Sequence, residues 1–176
     1  DQWPTLVDSE LIRGLSETVA AEGNLRVANV STTAQYFHLL RRQTRPGMER
    51  PLVVMTPKSL LRLPAATSTI ADLVSGGFQP LIRDTEIEDN AAVKRIVICS
   101  GKLYYDLIEA RKKSGEMQPC VFLRLEQFYP FPLKALQEAL AAYPNATQIV
   151  WAQEEPKNMG GWTFVEPRLE NLLPAC

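Results

Sequence analysis

Four arginines crowd one short stretch: Arg41, Arg42, Arg45 and Arg50. A guanidinium is a planar fork of donors matched to phosphate and carboxylate oxygens. The stretch therefore reads as a seat for a phosphorylated ligand or an acidic partner, with solvated surface charge as the alternative. His38 lies four residues before Arg42, so one helix face could present both; the other reading is a lone structural histidine. It is the only histidine in the chain, which excludes any mechanism or metal site that needs two from these residues.

Three other groupings carry chemical interest. Ser100-Gly101-Lys102 falls where a strand should end and a helix begin, a place where backbone N–H groups and the helix dipole favour an anion. It lacks the Gly-x-x-x-x-Gly-Lys-Ser/Thr spacing of a phosphate loop, and no Gly-x-Gly-x-x-Gly occurs anywhere; a tight turn with a solvated lysine is the competing reading. Glu154-Glu155 offers paired carboxylates for acid/base work. Neighbours on an extended chain point in opposite directions, so a structural cap or an interdomain contact is the plainer expectation. Phe128-Tyr129-Pro130-Phe131-Pro132 is a stiff aromatic run suited to an interface or to a core-closing turn, and Trp151, Trp162 and Phe164 read as core or interface residues. No metal-ligand spacing, nucleophile elbow or Ser/His/Asp set completes a catalytic constellation.

These residues need elements to position them. Apolar spacing at Leu11, Ile12, Leu15 and Val19 predicts a helix over 6–21. Leu25 to Val30 reads as a strand, and Ser31-Thr32-Thr33 caps a helix over 34–43 whose core side is expected at Tyr36, Phe37, Leu39 and Leu40. The continuous apolar run Pro51 to Thr56 is the pattern of a strand covered on both faces, which completes a βαβ unit. Composition then changes, and residues 57–84 read as a linker containing a turn of helix after Pro57 and a short strand at 78–82. The rhythm resumes with strands at 95–99, 120–125 and 148–151 and helices over 102–113, 133–142 and beyond Met159. Repeated strand–helix–strand order predicts an α/β fold, a largely parallel sheet flanked by helices.

The chain has 176 residues, a formal net charge of -1, 45% hydrophobic and 22% charged residues. This is the mixture of a soluble globular protein. Balanced charge argues against a large nucleic-acid surface, and no apolar run approaches the ~20 residues of a membrane-spanning helix. Residues 1–5 show no secretory leader pattern. Cys99, Cys120 and Cys176 are an odd number at wide spacing, neither a disulfide framework nor a zinc pattern. Cys99 and Cys120 lie inside apolar strands, where a cysteine acts as a small hydrophobe, and a reducing compartment is expected.

Five stretches occur in a telling order: Ala34-Gln-Tyr-Phe-His-Leu-Leu-Arg-Arg-Gln43, the run from Arg50 through Met55-Thr56-Pro57-Lys58 to Arg62, Cys99-Ser-Gly-Lys-Leu-Tyr-Tyr-Asp-Leu107, Arg124-Leu-Glu-Gln-Phe-Tyr-Pro-Phe-Pro132 and Trp151-Ala-Gln-Glu-Glu-Pro-Lys-Asn158. Together, over about residues 24–162, they resemble the C-terminal part of the thiamine-dependent first component of 2-oxoglutarate dehydrogenase and the related 2-oxoglutarate decarboxylases, a transketolase-like family.

The resemblance implies that residues 1–56 are the last βαβ portion of a pyrimidine-binding domain, 57–84 a linker and 85–176 a transketolase-type C-terminal domain. It further implies a parent enzyme that decarboxylates 2-oxoglutarate on thiamine diphosphate with magnesium, both bound outside this segment, and passes the succinyl group to a lipoyl-bearing succinyltransferase. The segment itself would be a fragment that packs against the rest of its enzyme and a second subunit. Alone it is expected to be inactive, with no cofactor of its own. It would be cytoplasmic in a bacterium and in the mitochondrial matrix of a eukaryote. Asp8 stands about where the family carries an active-site histidine, and the chain stops at Cys176 before the family's usual basic tail. Relatives bind acetyl-CoA at the junction of the two domains, and Arg42 and Arg50 match positions of that basic site, which would take acetyl-CoA or AMP; Gly76-Gly77 replaces more polar residues there. The alternatives are a free-standing, non-catalytic module binding acetyl-CoA or an adenine nucleotide, part of a non-oxidative 2-oxoglutarate decarboxylase, and a folded remnant without activity.

Overall fold

The computed structural model describes residues 24–45, 47, 49–87, 89–114 and 120–172. The helix expected over 6–21, Asp8 and Cys176 lie outside them.

Strand β1 (Arg26–Ala28) is followed by helix α1 (Thr33–Gln43) and strand β2 (Leu52–Val54). Thr32 starts α1: its hydroxyl accepts the Gln35 N–H at 3.2 Å, a standard N-cap. β1 and β2 pair in parallel, Arg26 opposite Leu52, which gives the expected βαβ unit. The inward face of α1 differs from the expected one. It is Gln35, His38 and Leu39 that are buried, while Tyr36, Phe37 and Leu40 are exposed. The spacing 35, 38, 39, 42 is one helical stripe, and it carries polar residues because the surface it meets is polar. β2 likewise departs from the run covered on both faces. Val53 and Met55 are exposed, so this face of the strand is uncovered, and among the described residues β1 is the one strand that pairs with β2.

The region expected as linker holds more structure than composition suggests. A 3₁₀ turn at Lys58–Arg62 is followed by α2 (Ile70–Val74), closed by a capping box in which Thr69 and Asp72 satisfy each other's backbone N–H. Strand β3 (Leu81–Arg83) follows, then β4 (Arg95–Cys99), α3 (Leu103–Ser114), β5 (Cys120–Leu125), β6 (Gln127–Tyr129), α4 (Leu133–Ala141), β7 (Gln148–Trp151) and α5 (Trp162–Glu170).

The α/β class and most of the helix and strand order from residue 24 onward match expectation, with α2 and β6 as additions, and the largely parallel pairing holds only in part. There are two mixed sheets, ordered β2-β1-β6 and β3-β5-β4-β7. β1–β2, β4–β5 and β4–β7 are parallel, whereas β1–β6 and β3–β5 are antiparallel. The split occurs at Glu126. The chain leaves the four-stranded sheet at Leu125 and enters the three-stranded one at Gln127, running on in the same direction and so against β1. The aromatic run beginning at Phe128 is thus partly a strand, not only a turn.

The main core joins the four-stranded sheet to α4 and α5: Ile96, Ile98, Val121, Leu123 and Leu125 pack with Leu136, Ala139, Val165 and Leu169. Each fully buried Val, Leu or Ile among them contributes about 1.5–3 kcal/mol. Val27, Phe128 and Tyr129 of the other sheet belong to the same cluster, so the two sheets share one apolar contact. Cys99 is wholly buried, and burial pushes its thiol up to about 12; it is the small hydrophobe its setting predicts.

Candidate functional site

At the amino ends of β1 and β2 lie the arginines that the sequence singles out, and they do not all come together. Arg42 projects from the inward face of α1. Its Nη2 donates to Gln127 Oε1 at 2.7 Å, and its guanidinium stacks 4.3 Å from the Phe78 ring centroid. Its Nε is buried with no partner among the described residues. Burial, reinforced by the charge of Arg26, lowers Arg42 to about 10. Arg26, the first residue of β1, donates to Gln43 Oε1 at 3.0 Å, and Gln43 in turn hydrogen-bonds the Arg50 carbonyl. Arg50 itself is exposed, its Nη1 directed to the Glu49 carbonyl at 3.1 Å. The charge set beside Arg42 is therefore Arg26, which sequence reasoning missed because the two are far apart in the chain. The available signal was that Arg26 opens β1 just where α1 must end. Arg41 is spent on the Gly76 carbonyl, 2.8 Å away, and Arg45 is exposed. His38 donates from Nε2 to the Asp72 carbonyl at 2.7 Å and so clamps α1 to α2; this is the structural reading.

A polar lock lies between this end of the sheet and the other. Glu126 is completely buried. Its Oε2 accepts the Ser31 N–H at 2.9 Å, and its Oε1 is hydrogen-bonded by Ser31 Oγ. Arg124 Nη1 donates to Ser31 Oγ at 3.0 Å, and Tyr105 donates to the Ser31 carbonyl at 2.6 Å. Burial raises the Glu126 carboxyl, a shift its Ser31 hydrogen bonds oppose. Both sheets, α1 and α3 meet on this one residue pair.

At the opposite, carboxyl ends of β1, β2, β4 and β7 lies a cleft of about 590 Å³. That size suits a ligand, and the carboxyl edge is where open α/β sheets bind them. The cleft gathers motifs that were separate in the sequence: Ser100 and Lys102, Phe128 and Tyr129, Trp151, Glu154 and Glu155, and Phe164, with Asn29 and Met55 from the first sheet. Gly101 is at φ 58, and a Cβ there would stand 2.6 Å from the Asn29 amide, so only glycine lets the two sheets approach. Lys102 is engaged by Asp106 at 2.9 Å and Glu154 at 3.5 Å, which favours the tight turn over a phosphate site. Glu154 makes an ion pair with Lys102 within residues 85–176, neither the cap nor the interdomain contact expected of one member of the acidic pair. Glu155 folds over Gly160, where a Cβ would lie 2.9 Å from its Oε2. Among the described residues no group of three or more His, Cys, Asp and Glu could hold a metal ion. No helix among them is long and apolar enough to cross a membrane.

Two helix-flanked mixed sheets that share a core, with a cationic amino end and a ligand-sized carboxyl-edge cleft, define an α/β protein built around the junction of two sheets. A family model described as 2-oxoglutarate dehydrogenase C-terminal matches residues 67–176, and the chain belongs to that family. It is 49% identical over 158 residues to the 2-oxoglutarate dehydrogenase E1 component of an Exiguobacterium species, covering 87% of this chain and 17% of the relative. The E1 component of a Geobacillus species is 48% identical over 160 residues, covering 89% and 17%. That of Brucella ovis is 47% identical over 165 residues, covering 88% and 16%. The chain thus spans about a sixth of the length of these relatives.

Proposed function

We propose that this chain works as the C-terminal part of a 2-oxoglutarate dehydrogenase first component. The parent would decarboxylate 2-oxoglutarate with thiamine diphosphate and magnesium held elsewhere in its sequence, then pass the succinyl group to a lipoyl-bearing succinyltransferase. Residues 1–56 would close a pyrimidine-binding domain, 57–84 would cross between domains and 85–176 would form a transketolase-type domain packed against a second subunit. The identity of nearly half over most of the chain supports the reading.

The segment's own task, on this reading, is regulatory anion binding at the amino ends of β1 and β2. One observation carries it. Arg42 is desolvated beside another arginine and has a buried, unpartnered Nε. Holding a cation in this way costs folding energy and is a mark of functional sites. An anionic ligand such as acetyl-CoA or AMP would supply the missing countercharge, with Arg50 at the exposed rim.

Calorimetric titration of the chain with acetyl-CoA and with AMP tests this. Saturable binding that weakens at least about tenfold in Arg42→Ala and Arg50→Ala is expected for charge-assisted contacts. No heat with either ligand would overturn the regulatory role. An antibody to this segment tests the parent. A band several-fold above 19.7 kDa that co-purifies with lipoyl-bearing protein supports a dehydrogenase component; a band at that mass supports the free-standing module.

A further inference from the structure

We propose that residues 6–21 of this chain cover the open face of β2, laying Leu15 over Met55 and Val19 over Val53. The inference does not rest on the arginine site.

Alternation identifies the face. Successive side chains of a strand point to opposite sides. Leu52 and Val54 pack with Ala28, Val30 and Leu39 in the small core beneath α1. Val53 and Met55 therefore point away from α1, and they are 37% and 42% exposed. Val27 stands opposite Val53 in the register, and Val27 is buried in the main core with Leu25 packed against it. One apolar row thus starts buried at β1 and runs into the open at β2, beyond which no strand pairs among the described residues. Fully burying a valine or methionine is favourable by about 1.5–3 kcal/mol, and exposure leaves part of that unrealised.

The chain supplies the cover. Leu11, Ile12, Leu15 and Val19 recur at helical spacing, while Glu10, Arg13 and Glu17 fall on the other side. Such a segment needs an apolar surface to lie on. Residues 6–21 are outside the described ones, but the place where they join is known: Leu25 directly precedes β1 and packs against the core on this same side. Ala21 and Leu25 are four residues apart, a reach of at most about 14 Å. A helix over β2 needs about 5 Å sideways, the strand spacing, and about 10 Å outward, the spacing of packed layers, which combine to about 11 Å. The other exposed apolar surface, Tyr36, Phe37 and Leu40, is on α1, across the sheet. A helix seated outside α1 is about 18–20 Å from the sheet, out of reach of that connection.

Spacing sets the register. A short connection turns the chain back, so the segment runs antiparallel to β1 and to its parallel partner β2. Leu15 and Val19 are four residues apart, about 6 Å along a helix. Met55 and Val53 are two apart, about 6.6 Å along a strand. The pairs match, with Val19 nearer the amino end. Met55 also lines the carboxyl-edge cleft, so the cover forms part of that cleft's wall.

The test uses the full chain carrying Met55→Cys, modified by N-ethylmaleimide and followed by the mass of the peptide that contains residue 55, so that the native cysteines do not interfere. Leu15→Asp should speed this modification at least about tenfold by driving the segment off the strand. Glu17→Gln, on the polar side, should leave the rate unchanged. Crosslinking does not depend on how Leu15→Asp folds: 1,2-bis(maleimido)ethane should join Leu15→Cys to Met55→Cys, and Val19→Cys to Val53→Cys, within one chain and in higher yield than Glu17→Cys to Met55→Cys. Equal modification rates with and without Leu15→Asp, no crosslink in either facing pair, or an equal yield with Glu17→Cys would each overturn the proposal. Crosslinks that join two chains would make a second copy the occupant and overturn it as well.

Discussion

The two ends of the first sheet handle charge in opposite ways. At the amino end, Arg42 and Arg26 sit together, and the contacts of Arg42 are a neutral amide and a ring. At the carboxyl end, the one lysine of the cleft is shared between two carboxylates while aromatic rings make the walls. Arg111, outside both, shows ordinary structural behaviour: it reaches Asp84 at 2.7 Å and Glu86 at 2.5 Å and stacks on Phe122. Arg111 is thus paired with two carboxylates, whereas among the described residues half-buried Arg42 has no carboxylate partner, a contrast that fits the binding role proposed for it.

Breaking the carboxyl end should have the largest effect. Gly101→Ala places a Cβ against Asn29 and forces alanine to a positive φ, and should cost about 3 kcal/mol in urea unfolding. Adding Asn29→Ala should restore about 1 kcal/mol by removing the clash while leaving the backbone strain. Full additivity of the two changes would show that the sheets do not meet there.

The lock between the two ends comes next. Burial raises the Glu126 carboxyl, so the folded state binds this proton more tightly than the unfolded state does. Stability from this group is present below the ordinary glutamate range and is lost as pH rises through the raised value. Glu126→Gln should remove that slope and be the more stable form above it, by about 1–2 kcal/mol, in denaturant melts at several pH values. A wild-type slope of opposite sign would mean that the hydrogen bonds from Ser31 outweigh burial.

Arg42→Met keeps contact with Phe78 and removes the charge. Because Arg42 is lowered to about 10, the folded state gives up this proton before the unfolded state does. Wild-type stability should therefore rise as pH climbs above about 10, and the variant should lack the rise. At neutral pH the variant should equal or exceed the wild type by up to about 1 kcal/mol, and acetyl-CoA, expected to raise the wild-type melting temperature, should leave that of the variant unchanged. The smallest effect is expected at the exposed rim. Arg50→Ala should change stability by less than about 0.5 kcal/mol and still weaken anion binding, a split that would sharpen the assignment of this end as a ligand site.

Much of this was legible from spacing alone. Thr32 as a cap, the strand of Arg95–Cys99 and the helix after Ser100 follow from hydrogen-bonding groups and periodicities within a few residues of one another. The arginine stretch was visible for the same reason. Its members are neighbours in the chain, but which of them is desolvated was not, since Phe78, Gln127 and Arg26 come from three other segments. The inward face of α1 was misjudged because Tyr36, Phe37 and Leu40 are apolar, and apolar side chains alone do not say where the core lies.

The amino-acid sequence by itself determined most of the order of helices and strands from residue 24, though not α2 or β6, together with the α/β class and the likeness to a family whose motifs span most of the chain. Tertiary structure decided that the strands divide into two mixed sheets at Glu126, that Arg26 stands beside Arg42, and that Lys102, Trp151, Glu155 and Phe128 share one cleft. The division follows from range. Caps and periodicity act through backbone geometry over a few residues, whereas burial, desolvation and charge pairing depend on what packs alongside, and the Ser31–Glu126 contact that fixes the junction joins residues 95 apart in the chain.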